Sequence, residues 1–464
     1  MHGYHPFAED AEIYLPGVER ILHPQLFPVG QEFFLSHARL TFFPNLVALS
    51  LRHLPFEMGL FLWHCASIFL LLLACWELGA ALFPEARARW CGVFLVAALL
   101  TIPVAGTALY ILDQYLNPRN LAAFAGIFAV TRMLEKKYVR ALLWLVFAAC
   151  VHPLMWAFPF SFCALFLVME RTGLFSDSTM PATAVWFATP LAPAASAAYH
   201  EVAKHHAYFY LQHWAWYELL GIAGPLLLFW WFRRIARLRQ RPLLERLSRT
   251  FVIYGLIYVA VSLAFDLPPG LETLARLQPM RNLHLLYIVM FVVMGGLLAE
   301  YVLENQIWRW LLLFVPLCAG MFLAQRSIFP ASAHIEWPGV APKNLWAQAF
   351  LWIRENTPVD AVFALDPDYM HIAGEDEIGF RCLAQRSRLA DRVKDDGVVS
   401  MFPPLADEWW TQLQAQTPWK NLQLEDFSRL KRTYGVNWVV LQRPGVTGLD
   451  CAYQNRAVQV CRIP

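Results

Sequence analysis

Three acids crowd the start of the chain, Glu9, Asp10 and Glu12, and a fourth, Asp113, follows a long apolar run. Carboxylates grouped at the mouth of a helical bundle can act as a general base toward a hydroxyl. They can also hold a divalent cation that stabilises a leaving phosphate. Glu201, Asp266 and Glu272 are further acids of the same kind of loop. Each of them, taken singly, also fits an ordinary solvated loop. Two cations complement the acids. Arg119 follows Asn117-Pro118, and Arg281 in Leu277-Gln278-Pro279-Met280-Arg281-Asn282 opens an apolar run. A guanidinium so placed either faces inward to an anion or snorkels out to lipid headgroups.

Histidines gather in two places: His200, His205, His206 and His213 in one loop, and His2, His5, His23, His37 and His53 near the start. No compact ligand set or His-Glu-x-x-His spacing occurs among them, so no metal site is predicted. A divalent cation held by the acids is the one cofactor left open. His152, next to Pro153, and His206 are placed to line an internal cavity. Six of the nine cysteines lie in apolar runs, where they read as small buried hydrophobes. Cys451 and Cys461 flank Gln454-Asn455-Arg456 in a closing hairpin. They either pair as a disulfide, as an oxidising compartment favours, or stay as two thiols. Without a Walker loop, GxGxxG or GxSxG there is no support for nucleotide binding or serine-hydrolase chemistry.

The elements that must position these residues are membrane helices. Of 464 residues, 58% are hydrophobic and only 16% charged, with 19 Trp and 34 Phe. That balance excludes an ordinary soluble enzyme. The net charge of +2 gives no basic footprint for nucleic acid. A hydrocarbon core about 30 Å thick asks for roughly 20 apolar residues per helix. The runs 58–76, 90–112, 178–200, 214–232, 250–265, 282–299 and 310–325 supply seven spans, and 120–134 supplies a short one. The uncharged stretch 141–169 is broken by His152-Pro153. It is either one long span or two short ones.

Charge decides between these. Two spans put Arg87, Arg89, Arg132, Lys136, Lys137, Arg140, Arg171, the seven Arg from Arg233 to Arg249, and Arg309 on one side. The opposite short loops hold only Arg119, Lys204, Arg276 and Arg281, and the positive-inside rule makes the first side cytoplasmic. The expected fold is therefore mostly α: a polytopic bundle of about ten helices over 56–329, with both ends of the sequence extracytoplasmic. Residues 1–55 form a first outer loop in which 33–52 reads as helices lying at the interface. His5 to Pro16 looks like a loop delivered by a preceding helix, so a first helix upstream of Met1 is expected. Residues 330–464 alternate helix and strand, with helices at 344–355 and 425–434 and strands at 361–365 and 436–441. A small extracytoplasmic α/β domain follows.

A resemblance accompanies this reading. His5-Pro6-Phe7-Ala8-Glu9-Asp10, Tyr14-Leu15-Pro16, Leu22-His23-Pro24-Gln25-Leu26-Phe27-Pro28, Tyr115-Leu116-Asn117-Pro118-Arg119, His152-Pro153 and Trp352-Ile353-Arg354-Glu355-Asn356-Thr357-Pro358 run through nearly the whole chain. Together they resemble uncharacterised bacterial polytopic proteins related to GT-C glycosyltransferases. The resemblance implies a multi-pass protein of the bacterial inner membrane that takes sugar from a polyprenyl-phosphate donor on the outer face. It maps the first-loop carboxylate of that family to Glu9 or Asp10, and the second acidic loop to Asp113. Asp10 would then deprotonate an acceptor hydroxyl while Arg281 or Arg119 holds the departing lipid phosphate. The chain departs from the family in lacking a first helix and an Asp-x-Asp pair. The alternative is a non-catalytic scaffold or transporter in envelope polysaccharide assembly. Uncharged central spans and the lack of an internal repeat weigh against the transporter.

Overall fold

The computed structural model describes residues 1–172, 196–266 and 272–464. The chain opens with three short helices, α1 (Ala11–Leu22), α2 (Glu32–Ala38) and α3 (Phe43–Leu51). The segment expected to be a loop up to Pro16 is thus helical from Ala11. Pro16 sits within the second turn, where its missing N–H costs the helix the bond to the Glu12 carbonyl. The bundle follows as α4 (Phe56–Leu82), α5 (Ala86–Ala98), α6 (Pro118–Leu134), α7 (Tyr138–Val151) and α8 (Pro153–Arg171). After α9 (Ala197–His205) come α10 (Trp216–Leu238), α11 (Pro242–Asp266), the single turn α12 (Glu272–Ala275), α13 (Asn282–Leu298) and α14 (Ile307–Ile328). Proline at the first position of α6, α8 and α11 marks where each begins, because its missing N–H is one the helix would leave unpaired anyway.

Among the described residues six helices are long and apolar enough to cross a membrane: α4, α8, α10, α11, α14 and the run Pro279–Leu303 containing α13. The expectation of ten spans is corrected in part. The 90–112 run is not one helix, since α5 stops at Ala98 and Pro103 and Tyr110 then pair across a tight loop. Pro103 and Gly106 cannot sustain a helix there. The break at His152-Pro153 does separate α7 from α8, but α7 has only 14 residues. The expected span 178–200 lies mostly outside the described residues. α13 is buried nearly throughout and crosses α5 backbone to backbone. A Cβ on Gly295 would stand 2.6 Å from Gly92 Cα, so glycine at both positions permits that approach.

Ion pairs join one end of the bundle. Glu77 of α4 meets Arg132 of α6, Lys136 and Arg246 both meet Glu170, and Arg241 meets Glu300 after α13. Four of the cations that the sequence places on one side, Arg132, Lys136, Arg241 and Arg246, therefore share an end. The other end carries residues 1–55 and the C-terminal region.

There α15 (Leu345–Asn356), α16 (Phe380–Ala384), α17 (Lys394–Met401), α18 (Ala406–Gln416) and α19 (Leu424–Tyr434) surround a mixed sheet. Its strands are β1 (Val362–Ala364), β2 (Ser387–Arg388), β3 (Trp438–Gln442), β4 (Asp450–Gln454) and β5 (Val458–Arg462), in the order β2-β1-β3-β5-β4. β1 runs parallel to both neighbours, whereas β5 is antiparallel to β3 and β4. Cys451 and Cys461 face each other across β4 and β5 and form a disulfide.

The first segment is clamped between bundle and sheet. His5 N–H donates to the Gln114 carbonyl at 2.8 Å, Glu9 N–H to the Glu377 carbonyl at 2.7 Å, and Gly379 N–H to the Phe7 carbonyl at 2.7 Å. Beneath these bonds, Glu12 of α1 lies in a dry ionic knot. Arg388 lies 3.0 Å from Glu12, Arg381 grips Asp395 with bonds of 2.8 and 2.9 Å, and Arg388 also reaches Asp391 and Asp395.

Candidate functional site

A cavity of about 590 Å³ opens where the first segment, the bundle and the C-terminal region meet. Its lining has two characters. Ile13, Pro103, Ala105, Ala108, Leu109 and Tyr110 make an apolar wall, and Glu9, Asp10, Arg119, Arg281, His206, Lys394 and Asp396 make a polar one. An amphiphile with a charged head matches such a hollow.

Arg119 is set by a self-bonded loop. Asn117 caps α6 by accepting the Arg119 N–H at 2.9 Å, while Asn120 accepts the Asp113 N–H and donates to the Asp113 and Tyr115 carbonyls. The Arg119 guanidinium then takes Asp113 in a bidentate pair, Nε to Oδ2 at 3.2 Å and Nη2 to Oδ1 at 3.1 Å, and reaches Asp10 Oδ2 at 2.9 Å. Asp113 is buried behind Arg119 and does not line the cavity. Its distance from the opening follows from the bonds that fold the loop inward.

Asp10 is held on both oxygens. Lys394 Nζ approaches Oδ1 at 3.4 Å and also meets Glu377 at 3.2 Å. Burial pushes the Asp10 carboxyl up, but the Lys394 and Arg119 charges outweigh it and hold Asp10 well below the usual carboxylate range. Such a group is a poor proton acceptor at neutral pH, so it suits the positioning of Arg119 and Lys394. Glu9 is the reverse case. Its carboxylate accepts no hydrogen bond from any described residue, and burial, reinforced by Glu377 and Asp10 against the pull of Lys394, pushes it up to about 8. Glu9 is therefore mostly protonated at pH 7.

Arg281 stands in the turn before α13, with its guanidinium 6.0 Å from the Tyr208 ring. It forms no ion pair among the described residues, and its Nε is sealed from solvent without a partner. The residue is half-buried, and a partly desolvated guanidinium without a counter-ion is costly unless an anion joins it. Backbone strain gathers here too: Glu9, Ala105, Ala108 and Gln278 all have positive φ, between 45° and 54°, a region that non-glycine residues avoid.

The other predicted residues separate. His206 lines the cavity, with its Nδ1 3.0 Å from the Val202 carbonyl. His152 does not line it, because its Nδ1 accepts the Met155 N–H and caps α8. Its position beside Pro153 gives it a helix-capping task. The side chain of Glu272 lies outside the described residues. Glu201 pairs with Lys204, and Asp266 accepts the Leu211 N–H, both away from the cavity. Among the described residues no group of three His, Cys, Asp or Glu side chains is arranged to hold a metal ion.

Sequence reasoning missed Glu377, Lys394 and Asp396. They come from a region with no recognisable motif. The one signal is the dense charge run Asp391-Arg392-Val393-Lys394-Asp395-Asp396, which reads as a solvated face. In the fold Asp391, Lys394, Asp395 and Asp396 are all buried. Asp391 caps α17 by accepting the Lys394 and Asp395 N–H groups at 2.8 Å, and this aims Lys394 at Asp10.

No family model, curated protein or solved structure matches this chain. The resemblance to GT-C enzymes rests on the motifs quoted above.

Proposed function

We propose that this protein is a multi-pass membrane glycosyltransferase of GT-C type, which takes its sugar from a polyprenyl-phosphate donor. The single observation that carries this reading is Arg281, a half-buried guanidinium with no ion pair among the described residues and a sealed, unpartnered Nε, in a cavity lined by both apolar and polar side chains. The lipid phosphate sits against Arg281, flanked by Arg119 and Lys394, and the isoprenoid leaves along the apolar wall. The basic end of the bundle faces the cytosol, which puts the cavity and both ends of this sequence on the extracytoplasmic side.

In the transfer step the acceptor oxygen bonds to the anomeric carbon. The bond from that carbon to the phosphate oxygen breaks, and its electron pair leaves with the phosphate. Arg281 stabilises the charge that develops. Glu9, protonated at neutral pH, donates a hydrogen bond to a phosphate oxygen, as a carboxylic acid kept neutral by its surroundings can. Asp10 keeps Arg119 and Lys394 in place.

The test uses the full chain in lipid nanodiscs. Native mass spectrometry reads retention of polyprenyl phosphate, and a radiolabelled polyprenyl-phosphate sugar reads transfer. Wild type is expected to do both, and Arg281→Ala to lose both while still folding. Binding unchanged in Arg281→Ala would overturn the phosphate assignment. Binding without transfer by wild type would move the protein to the scaffold class.

A further inference from the structure

The transfer step leaves one proton unplaced, the one on the acceptor hydroxyl. Asp10 is tied up in ion pairs, and Glu9 is already protonated. Glu377 is paired with Lys394, and besides His371 the remaining histidines of the lining lie on the wall formed by α9 and α17.

His206 ends α9 and is 6% exposed, yet it lines the cavity. Its Nδ1 lies 3.0 Å from the Val202 carbonyl oxygen. A carbonyl can only accept, so Nδ1 carries the hydrogen and the neutral ring keeps its lone pair on Nε2. Nε2 has no hydrogen-bond partner among the described residues. On the Nδ1 side stands Asp396 of α17, 1% exposed, with Oδ1 at 3.9 Å and free of hydrogen bonds. Its other oxygen meets His205 Nδ1 at 3.0 Å, which fixes the carboxylate. An imidazole with its hydrogen held on one nitrogen, a buried carboxylate beyond it, and a free lone pair on the other nitrogen has the parts of a general base.

We propose that His206, backed by Asp396, is the base that takes the acceptor's proton. This rests on the transferase reading. As the acceptor oxygen attacks the anomeric carbon, its proton passes to Nε2. The imidazolium that forms is stabilised by Asp396, and the electron pair of the breaking bond goes to the lipid phosphate beside Arg281. The proton then leaves to solvent. The charged and titratable groups that share the cavity with His206 are Asp396, His205, Lys394, Arg392, Arg281, Arg119, His371, Glu377 and the Glu9–Asp10 pair. Asp396 is a positioning residue, since it acts through the ring.

Three variants test this in nanodiscs. His206→Ala is expected to lower kcat for sugar transfer by about 10²- to 10⁴-fold. It should leave retention of polyprenyl phosphate unchanged, and added imidazole should restore part of the rate. Asp396→Asn is expected to lower kcat by a smaller factor with KM unchanged, and His206→Gln to behave like the alanine variant without rescue. An undiminished rate in His206→Ala, or a loss that imidazole does not rescue, would overturn the assignment.

A second readout does not depend on transfer. Diethylpyrocarbonate acylates a free imidazole lone pair, and peptide mapping locates it. His206 is expected to react faster than His152, whose Nδ1 is already engaged, and more slowly in Asp396→Asn. If wild type transfers no sugar, the transferase reading fails, and an inert His206 in this mapping would sink the dyad as well. A reactive His206 there would leave the dyad standing as a base for other chemistry.

Discussion

Two ionic clusters meet on the same helix, and they are built to opposite rules. Glu12 of α1 enters a knot with Arg381, Arg388, Asp391 and Asp395, in which every one of these side chains is at most 2% exposed. Two residues earlier, Asp10 enters a cluster with Arg119, Asp113, Lys394 and Glu377 that faces a void. The knot is closed: among the described residues its two guanidiniums and three carboxyls form ion pairs only with one another and join the first segment to the C-terminal region. The cluster is open, because Arg281 and Glu9 stand beside it without partners. Charges paired in a solvent-sealed site define geometry, whereas a cation left unpaired at a cavity is a demand for a ligand.

The largest effect is expected from opening the knot. Arg388→Ala leaves Glu12, Asp391 and Asp395 with one cation among them, a loss of about 3–5 kcal/mol. Thermal unfolding of the purified protein in detergent should show a large drop in Tm or no folded protein at all. A Tm within a degree of wild type would mean that the knot does not hold the two regions together.

The open cluster should respond in the other way. Arg281→Ala is expected to weaken retention of polyprenyl phosphate by about 10- to 100-fold, as befits lost hydrogen bonds to a charged group. Its Tm should stay level or rise, since a half-buried cation with no ion pair among the described residues has been removed. A fall in Tm comparable to that of Arg388→Ala would erase the distinction between the two clusters.

Glu9 sharpens the comparison through pH. Its carboxyl is raised from 4.5 to about 8. The stability that comes with a neutral Glu9 is complete below its unfolded value and is lost as pH rises through about 8. Tm should therefore decline between pH 5 and pH 9, and sugar transfer should fall above pH 8. Glu9→Gln flattens both alkaline declines if the assignment holds, and a persistent decline in the variant would refute it.

The smallest effect belongs to a pair that is neither buried nor facing the cavity. Arg39 and Glu32 meet at 3.1 Å with side chains 63% and 50% exposed. Arg39→Ala should change stability by less than about 1 kcal/mol, by the same thermal measurement. A larger loss would show that exposed pairs carry weight here too.

Much of the fold was legible because it follows from local rules. The helix at 345–356 begins where Asn344 accepts the Trp346 N–H at 2.8 Å, a cap visible in the residue order alone. The break at His152-Pro153 and the pairing of Cys451 with Cys461 are legible for similar reasons. The helix expected over 90–112 failed because apolar character alone does not reveal that Pro103 and Gly106 turn the chain. Glu9, Asp10, Arg119 and Arg281 were legible as candidates by type and position. The division of labour between Glu9 and Asp10 was not. Adjacent in sequence, the two titrate in opposite directions because one meets Lys394 and Arg119 directly and the other meets no hydrogen-bond donor.

What the residue order by itself determined is an apolar chain whose bundle loops carry their cations mostly in one alternating set, since hydrophobicity and charge are properties of each position. Only the tertiary structure decided that a buried run near residue 394 completes a site begun at residue 9. Coulomb interactions and desolvation depend on distance in space, and no local pattern encodes the contact between segments so far apart along the chain.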